Sequence, residues 1–200
     1  MRPLTLDDLM PLNEYAGRRM EFFESHRRYV DRYRRVRVGP RATLIFENRQ
    51  TLWFRVQEVL RIARLTEPDR IQRQLDVYNR LLPRRDSAQA AVIMDIDNVK
   101  QTGFELDLWQ TLAGSEVRIR LAGRQLTSEL VTCRPEDRAA GAAHYVQFTF
   151  DAGARQVLGS FRLPAWCEIA HASYQHQSQP LSEDLRQSLL DDLELSDKDD

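Results

Sequence analysis

Leu12, Tyr15, Ala16, Phe22, Phe23, His26, Val30 and Tyr33 recur at helical spacing and predict a long helix opened by Pro11 and ending near Arg35. Thr5 with Asp8 three residues later predicts an N-cap before a shorter helix ahead of it. Val36 and Val38 before Gly39-Pro40 read as a strand running into a turn, and ATLIFE (residues 42–47) as a second strand. Leu52, Val56, Val59, Leu60 and Ala63 restore the helical period over residues 50–64, and Pro68 opens a further helix with Ile71, Leu75, Tyr78 and Leu82 on its buried stripe. The second half changes period. Residues 90–96 read as a buried strand and residues 99–112 as a helix. VRIRLAG, QLTSELVT and YVQFTFD then alternate apolar and polar, with Gly123 at a hairpin turn. A short turn or helix at residues 152–158, a strand over residues 161–169 and a helix from Ser182 to about Leu195 complete the pattern. The expected class is α+β: a helical N-terminal half packed on a mostly antiparallel sheet, with a C-terminal helix.

With 200 residues, 42% of them hydrophobic, the chain is long enough for one domain over residues 1–195, divisible into lobes at 1–85 and 86–195, with an acidic tail at 196–200. No apolar run approaches the length of a membrane span, and MRPLTLDDLM lacks the apolar stretch of a signal peptide, so a cytoplasmic protein without membrane association is expected. Cys133 and Cys167, far apart, read as two free thiols. Charge is unevenly placed: from Arg18 to Arg41 nine Arg stand against Glu21, Glu24 and Asp31, whereas from Ser182 to Asp200 eight acids stand against Arg186 and Lys198. The two ends are therefore expected to attract.

Neither G-x-x-x-x-G-K-[ST] nor G-x-G-x-x-G occurs, nor H-E-x-x-H or G-x-S-x-G, so any chemistry must rest on side chains. Three constellations stand out. In IFENRQTLWFRVQEVLRIARL (residues 45–65) a strand passes into a helix without Gly or Pro. Asn48 can cap that helix, Trp53, Gln57, Arg61 and Arg64 fall on one stripe, and Glu47 is expected to face Arg61 or Arg64. Glu47, Asn48, Gln57, Glu58 and Arg61 are thus the candidate ligand-binding set, Arg61 gripping an anion and Glu47 or Glu58 orienting it. The competing reading is a cap plus ordinary ion pairs on a helix surface. The second constellation is WCEIAHASYQH with His144. Strand alternation puts Cys167, Ile169 and His171 on one face, and His144, His171 and His176 with Glu168 or Cys167 are the types of ligand that hold non-haem iron or zinc. The bland alternative is histidines bonded to backbone carbonyls or lying on loops. The third is the Arg-rich helix with Tyr29 and Tyr33, whose residue types suit phosphate or single-stranded nucleic acid; the net acidic composition counts against nucleic acid.

The stretches VGPRATLIFENRQTLWFRVQEVLRIARL, LDVYNRLLP, LTLDDLMPLNEYA and HYVQF together resemble an uncharacterised bacterial family catalogued as a domain of unknown function. The resemblance spans most of the chain, and its most specific part is IFENRQT followed by QEVLR, carried by Glu47, Asn48, Thr51, Gln57, Glu58, Leu60 and Arg61; His144 and His171 also match. The family pattern has Met and Glu where this chain has Val59 and Ala63, which leaves no second acid on that helix. The resemblance implies a setting beside rubrerythrin-like and iron-sulfur oxidoreductase proteins. Two functions follow as expectations: a non-catalytic accessory or ligand-binding protein in a bacterial redox or peroxide-handling system, or a small metal-dependent enzyme built on His144, His171 and Glu168. Self-association of the chain stays open.

Overall fold

The computed structural model describes residues 1–94, 111–131 and 144–198. Most of the helix expected over residues 99–112 lies outside these residues, as do Cys133 and the far end of the expected 90–96 strand. α1 (Leu12–Tyr33), β1 (Arg35–Val38), β2 (Ala42–Glu47), α2 (Arg49–Ala63) and α3 (Pro68–Asn79) form the N-terminal half. β3 (Ser87–Met94), β4 (Val117–Leu121), β5 (Arg124–Thr127), β6 (Glu129–Leu130), β7 (His144–Thr149), α4 (Ala152–Gly159), β8 (Ala165–His171), β9 (Tyr174–Gln177) and α5 (Glu183–Lys198) follow. The class is α+β, with two antiparallel sheets ordered β1-β2-β3-β7-β6 and β5-β4-β8-β9.

Strand alternation places the larger sheet between two apolar cores. Leu44 and Phe46 of β2, Ala88, Ala90 and Val92 of β3, and Val146 and Phe148 of β7 face the smaller sheet, where they meet Val117, Ile119, Cys167 and Ile169. Leu185, Leu189 and Leu193 of α5 close that core. On the other face Ala91 and Tyr145 meet Leu52, Val56 and Leu60 of α2 and Leu75 and Tyr78 of α3. The layers are thus helices, sheet, and a second sheet with its own helices.

Two corners tie the sheets together. The Tyr174 hydroxyl donates to the Val38 carbonyl at 2.5 Å and accepts from the Ala42 amide at 3.0 Å, so the smaller sheet pins the β1–β2 turn. Gly39 in that turn has φ 69°, and a Cβ there would stand 2.6 Å from His176 Cβ. At the other corner the QLTSELVT segment, expected as one strand, breaks at Ser128. Its hydroxyl donates to Gly114 O at 2.7 Å, leaving β5 on the smaller sheet and β6 on the larger.

Three boundaries differ from the sequence pattern. β8 starts at Ala165 rather than near Phe161, because residues 161–163 form a turn before Pro164. The sequence pattern assigns no element to β9; Ala172, at φ 47°, makes the hairpin without the Gly or Asn that normally marks one. α5 runs to Lys198, through the start of the expected acidic tail.

Candidate functional site

Asn48 answers the question raised by the glycine-free junction. In extended conformation (φ −150°, ψ −174°) its side-chain oxygen accepts from the Gln50 and Thr51 amides, both at 3.1 Å, while Thr51 Oγ1 accepts from the Asn48 amide at 2.9 Å. Two otherwise unsatisfied helix amides are bonded with no need for a left-handed residue. The other end of α2 is equally glycine-free: Arg64 takes the left-handed conformation at φ 50°, and the Leu65 amide reaches Leu60 O at 3.0 Å.

The remaining half of the Asn48 amide points to α1 and α5. Nδ2 donates to Tyr29 Oη at 2.9 Å and Asp192 Oδ1 at 3.3 Å. Arg34 donates to the same Tyr29 oxygen from Nε and Nη2, at 2.9 and 2.7 Å, and pairs with Asp192 through Nη1. Arg34 and Asp192 are only 2% and 6% exposed. Burial pushes the Asp192 carboxyl above its ordinary range even though Arg34 favours its charged form. Nearer the surface Arg32 meets Asp184 at 2.8 Å, so the basic and acidic ends of the chain do come together. Above this network lies a groove of about 540 Å³ lined by Tyr29, Tyr33, Arg34, Asn48 and three aspartates, Asp184, Asp191 and Asp192.

Glu47 takes the opposite direction, into the layer between the larger sheet and the helices. It faces neither Arg61 nor Arg64; its partners are Thr51 Oγ1, donating at 2.5 Å, and Arg55 Nη2 at 2.6 Å. Strand register sets Glu47 beside Gln89 and Gln89 beside Gln147, and Gln89 Nε2 donates to Gln147 Oε1 at 3.2 Å. Tyr78 and Tyr145 belong to the same electrostatic neighbourhood, and burial pushes the Tyr145 phenol up to about 12. His26, stacked on Phe54 at 3.9 Å, is pulled down to about 4 by burial and by the charges of Arg55 and Arg35, which keeps it neutral at physiological pH. Tyr78, Tyr145 and Gln89 escape sequence reasoning because the sheet and α3, rather than helical period, bring them to Glu47, and Arg55 because the angle between β2 and α2 selects it.

Glu58 and Arg61 form a third environment, at the α1–α2 contact. Glu58 receives Tyr15 Oη at 2.9 Å, Arg19 Nη2 at 2.9 Å and Arg61 Nη2 at 3.1 Å. Burial would raise its carboxyl, but the bonds from Arg19, Arg61 and Tyr15 outweigh burial and hold it at about 2. Asp8 is likewise held at about 2, chiefly by Arg49. Both folded values lie below the ordinary 4.5 and 3.8. Their stabilisation is therefore complete above those ordinary values and is lost as pH falls towards 2. Urea unfolding of wild type and Glu58→Gln should show a stability gap at pH 7 that closes on acidification through this window; a gap independent of pH would refute the role of Glu58. Gln57 lies in a fourth environment, fully buried against the N-terminal segment. The five candidate residues therefore do not share one site.

The histidine set is dispersed too. His171 lies inside the smaller sheet, with Glu116 Oε1 3.4 Å from Nδ1 and Thr111 Oγ1 3.2 Å from Nε2. His144 opens β7 in the larger sheet, and His176 lies on β9 with its ring 4.4 Å from that of Tyr174. Glu168 points to the other face of β8, between Arg118 at 3.2 Å and Arg120 at 3.0 Å. Cys167 is buried in the apolar core, which pushes its thiol up to about 12. Among the described residues no three His, Cys, Asp or Glu side chains lie close enough to hold a metal ion. On α1 Arg18 pairs with Glu21 and Arg27 with Glu24 inside the helix, Arg19 and Arg32 pair with Glu58 and Asp184 outside it, and Tyr29 and Tyr33 line the groove. Among the described residues no helix is long and apolar enough to cross a membrane.

The molecule is thus an α+β protein with a hydrophilic concavity where α1, α2 and α5 converge. The chain belongs to the family described as "Protein of unknown function (DUF3501)", which it matches over residues 3–193. It is similar to the crystal structure, at 1.90 Å resolution, of a novel protein of unknown function from Burkholderia pseudomallei K96243: identity is 25%, the TM-score 0.84, and the match covers 96% of this chain and 100% of that one. Comparison with curated proteins gives no match.

Proposed function

We propose that this is a non-catalytic accessory protein that holds a cationic segment of a partner protein in the groove between α1 and α5, against Asn48. The groove itself carries this reading: about 540 Å³ lined by Asp184, Asp191 and Asp192, with Arg34 paired to Asp192 and Arg32 to Asp184, so that Asp191 is the carboxylate with no arginine against it among the described residues. Tyr29 and Tyr33, with ring centroids 5.5 Å apart, add aromatic faces. Carboxylates beside aromatic rings favour a guanidinium or ammonium group through charge-assisted hydrogen bonds and cation–π attraction. The buried ionisable groups at its floor are bonded to one another, Arg34 to Asp192 and Tyr29, which supports binding over proton transfer. The family resemblance supplies the partner class, an iron-sulfur oxidoreductase or a rubrerythrin-like protein.

Fluorescence anisotropy with short Arg- and Lys-containing peptides tests the groove. Basic peptides should bind, weaken as salt is raised, and weaken several-fold more in the Asp184→Asn/Asp191→Asn double variant, in which neither substitution touches the buried network. Equal binding of acidic peptides, or a double variant that binds as wild type does, would overturn the proposal.

A further inference from the structure

The α1–α5 groove holds the same three-part arrangement twice. At its floor the Arg34 guanidinium carbon lies 5.3 Å from the Tyr29 ring centroid, and Arg34 pairs with Asp192. At its rim the Arg32 guanidinium carbon lies 5.0 Å from the Tyr33 ring centroid, and Arg32 Nε donates to Asp184 Oδ2 at 2.8 Å. Each unit joins a tyrosine of α1, an arginine at the C-terminal end of that helix and an aspartate of α5.

The two units differ in exposure. The floor side chains of Arg34 and Asp192 are 2% and 8% exposed, and Asn48 bonds to both Tyr29 and Asp192, which locks them in place. The rim side chains of Arg32 and Asp184 are 63% and 50% exposed. An exposed pair of this kind contributes little, because water solvates both partners well and ordering a long side chain costs entropy. Arg32 is therefore held loosely, on a carboxylate and an aromatic ring that both line the groove. Two turns further along α5, about 10 Å away, Asp191 accepts from Gln187 Nε2 at 2.8 Å and has no arginine against it among the described residues.

We infer that Asp184 and Tyr33 form a guanidinium subsite filled in the free protein by the chain's own Arg32, and that an arginine of the partner segment takes its place while a second cation meets Asp191. This deepens the reading proposed for the groove and rests on it. Arginine suits the subsite better than lysine: a planar guanidinium stacks on a phenol ring and forks onto a carboxylate, whereas an ammonium is a point charge with a firmer hydration shell. The floor unit holds the same chemistry permanently. The spacing of Asp184 and Asp191 matches an Arg-x-x-Arg segment in the polyproline conformation, which rises about 3.1 Å per residue with three residues per turn and so turns both arginines to one side.

Fluorescence anisotropy with fluorescein-labelled SRPPRS and SKPPKS peptides tests the inference. Wild type should bind SRPPRS several-fold more tightly than SKPPKS. Arg32→Gln should tighten SRPPRS about two- to fivefold, the value of the exposed pair that the peptide no longer has to break. With Asp184→Asn already in place, adding Arg32→Gln should bring no such gain. Arg28→Gln removes an equal charge one turn away on α1 and should tighten binding clearly less, which separates occupancy of the subsite from net charge. Unchanged or weaker SRPPRS binding by Arg32→Gln, an equal gain in Arg28→Gln, a gain that persists with Asp184→Asn, or equal affinity for SKPPKS would overturn the inference and leave the groove reading in place. No binding of either peptide by wild type or by Arg32→Gln would remove the groove reading and this inference with it.

Discussion

Replacing Arg186 by Met is expected to cost about 3–5 kcal/mol of folding stability, read by urea unfolding at neutral pH. Arg186 is 2% exposed, and among the described residues its bonds go to carbonyls rather than to an acid. It donates from Nε to Leu158 O at 2.8 Å, from Nη1 to Leu163 O at 2.7 Å, and from Nη2 to Val157 O at 2.9 Å and Ser160 O at 3.1 Å. Val157 and Leu158 belong to the last turn of α4, where the Val157 carbonyl already accepts from the Ser160 cap amide at 3.1 Å. A guanidinium at that end also meets the negative pole of the helix dipole, and its carbon lies 5.3 Å from the Phe161 ring centroid. Methionine restores volume but no donor, so the Leu158 and Leu163 carbonyls lose the guanidinium bonds while those of Val157 and Ser160 keep only the amides of Ser160 and Leu163. Arg186→Lys keeps the charge but not the fork, and should lose roughly half as much. A loss under about 1 kcal/mol in the Met variant would mean that water reaches these carbonyls and that the fork matters little.

Arg55→Met should be nearly as damaging, at about 3–5 kcal/mol, and clearly worse than Glu47→Gln. The asymmetry follows from exposure: the Glu47 side chain is 0% exposed, the Arg55 side chain 26%. Without Arg55, the enclosed Glu47 carboxyl loses its counter-charge and has Thr51 as its remaining hydrogen-bond donor among the described residues. Without the Glu47 charge, Arg55 can turn its guanidinium towards water. Combining the two substitutions removes both charges and should recover part of the Arg55→Met loss, a coupling that a double-mutant cycle in urea reads directly. Equal single-variant losses, or strict additivity, would refute this account.

The junction that caps α2 was legible because its cause is local. Asn48 caps the helix through atoms within three residues of itself, which sequence spacing can express. The same spacing misplaced the partner of Glu47: helical stripes relate residues within α2, whereas Glu47 stands on β2, and the angle at which strand meets helix selects Arg55. Tyr78, Tyr145 and Gln89 come to Glu47 by strand pairing and layer stacking over distances no local pattern encodes. Alternation sets His171 on one face of β8 with Cys167 and Ile169, and that face is the buried one, yet its partners Glu116 and Thr111 come from the segment before β4 and could not be read. β9 was missed because Ala172 adopts a backbone conformation that its residue type rarely advertises.

The bond between Arg34 and Asp192 has a consequence for biosynthesis. α1 leaves the ribosome well over a hundred residues before α5, yet Asp192 supplies the countercharge for Arg34, and Leu185, Leu189 and Leu193 cap the core shared by the two sheets. A nascent chain lacking α5 leaves Arg34 without its counterion beside an uncovered apolar floor. Final docking is thereby deferred until α5 has emerged, and the intervening interval is when a chaperone would find this chain most adhesive.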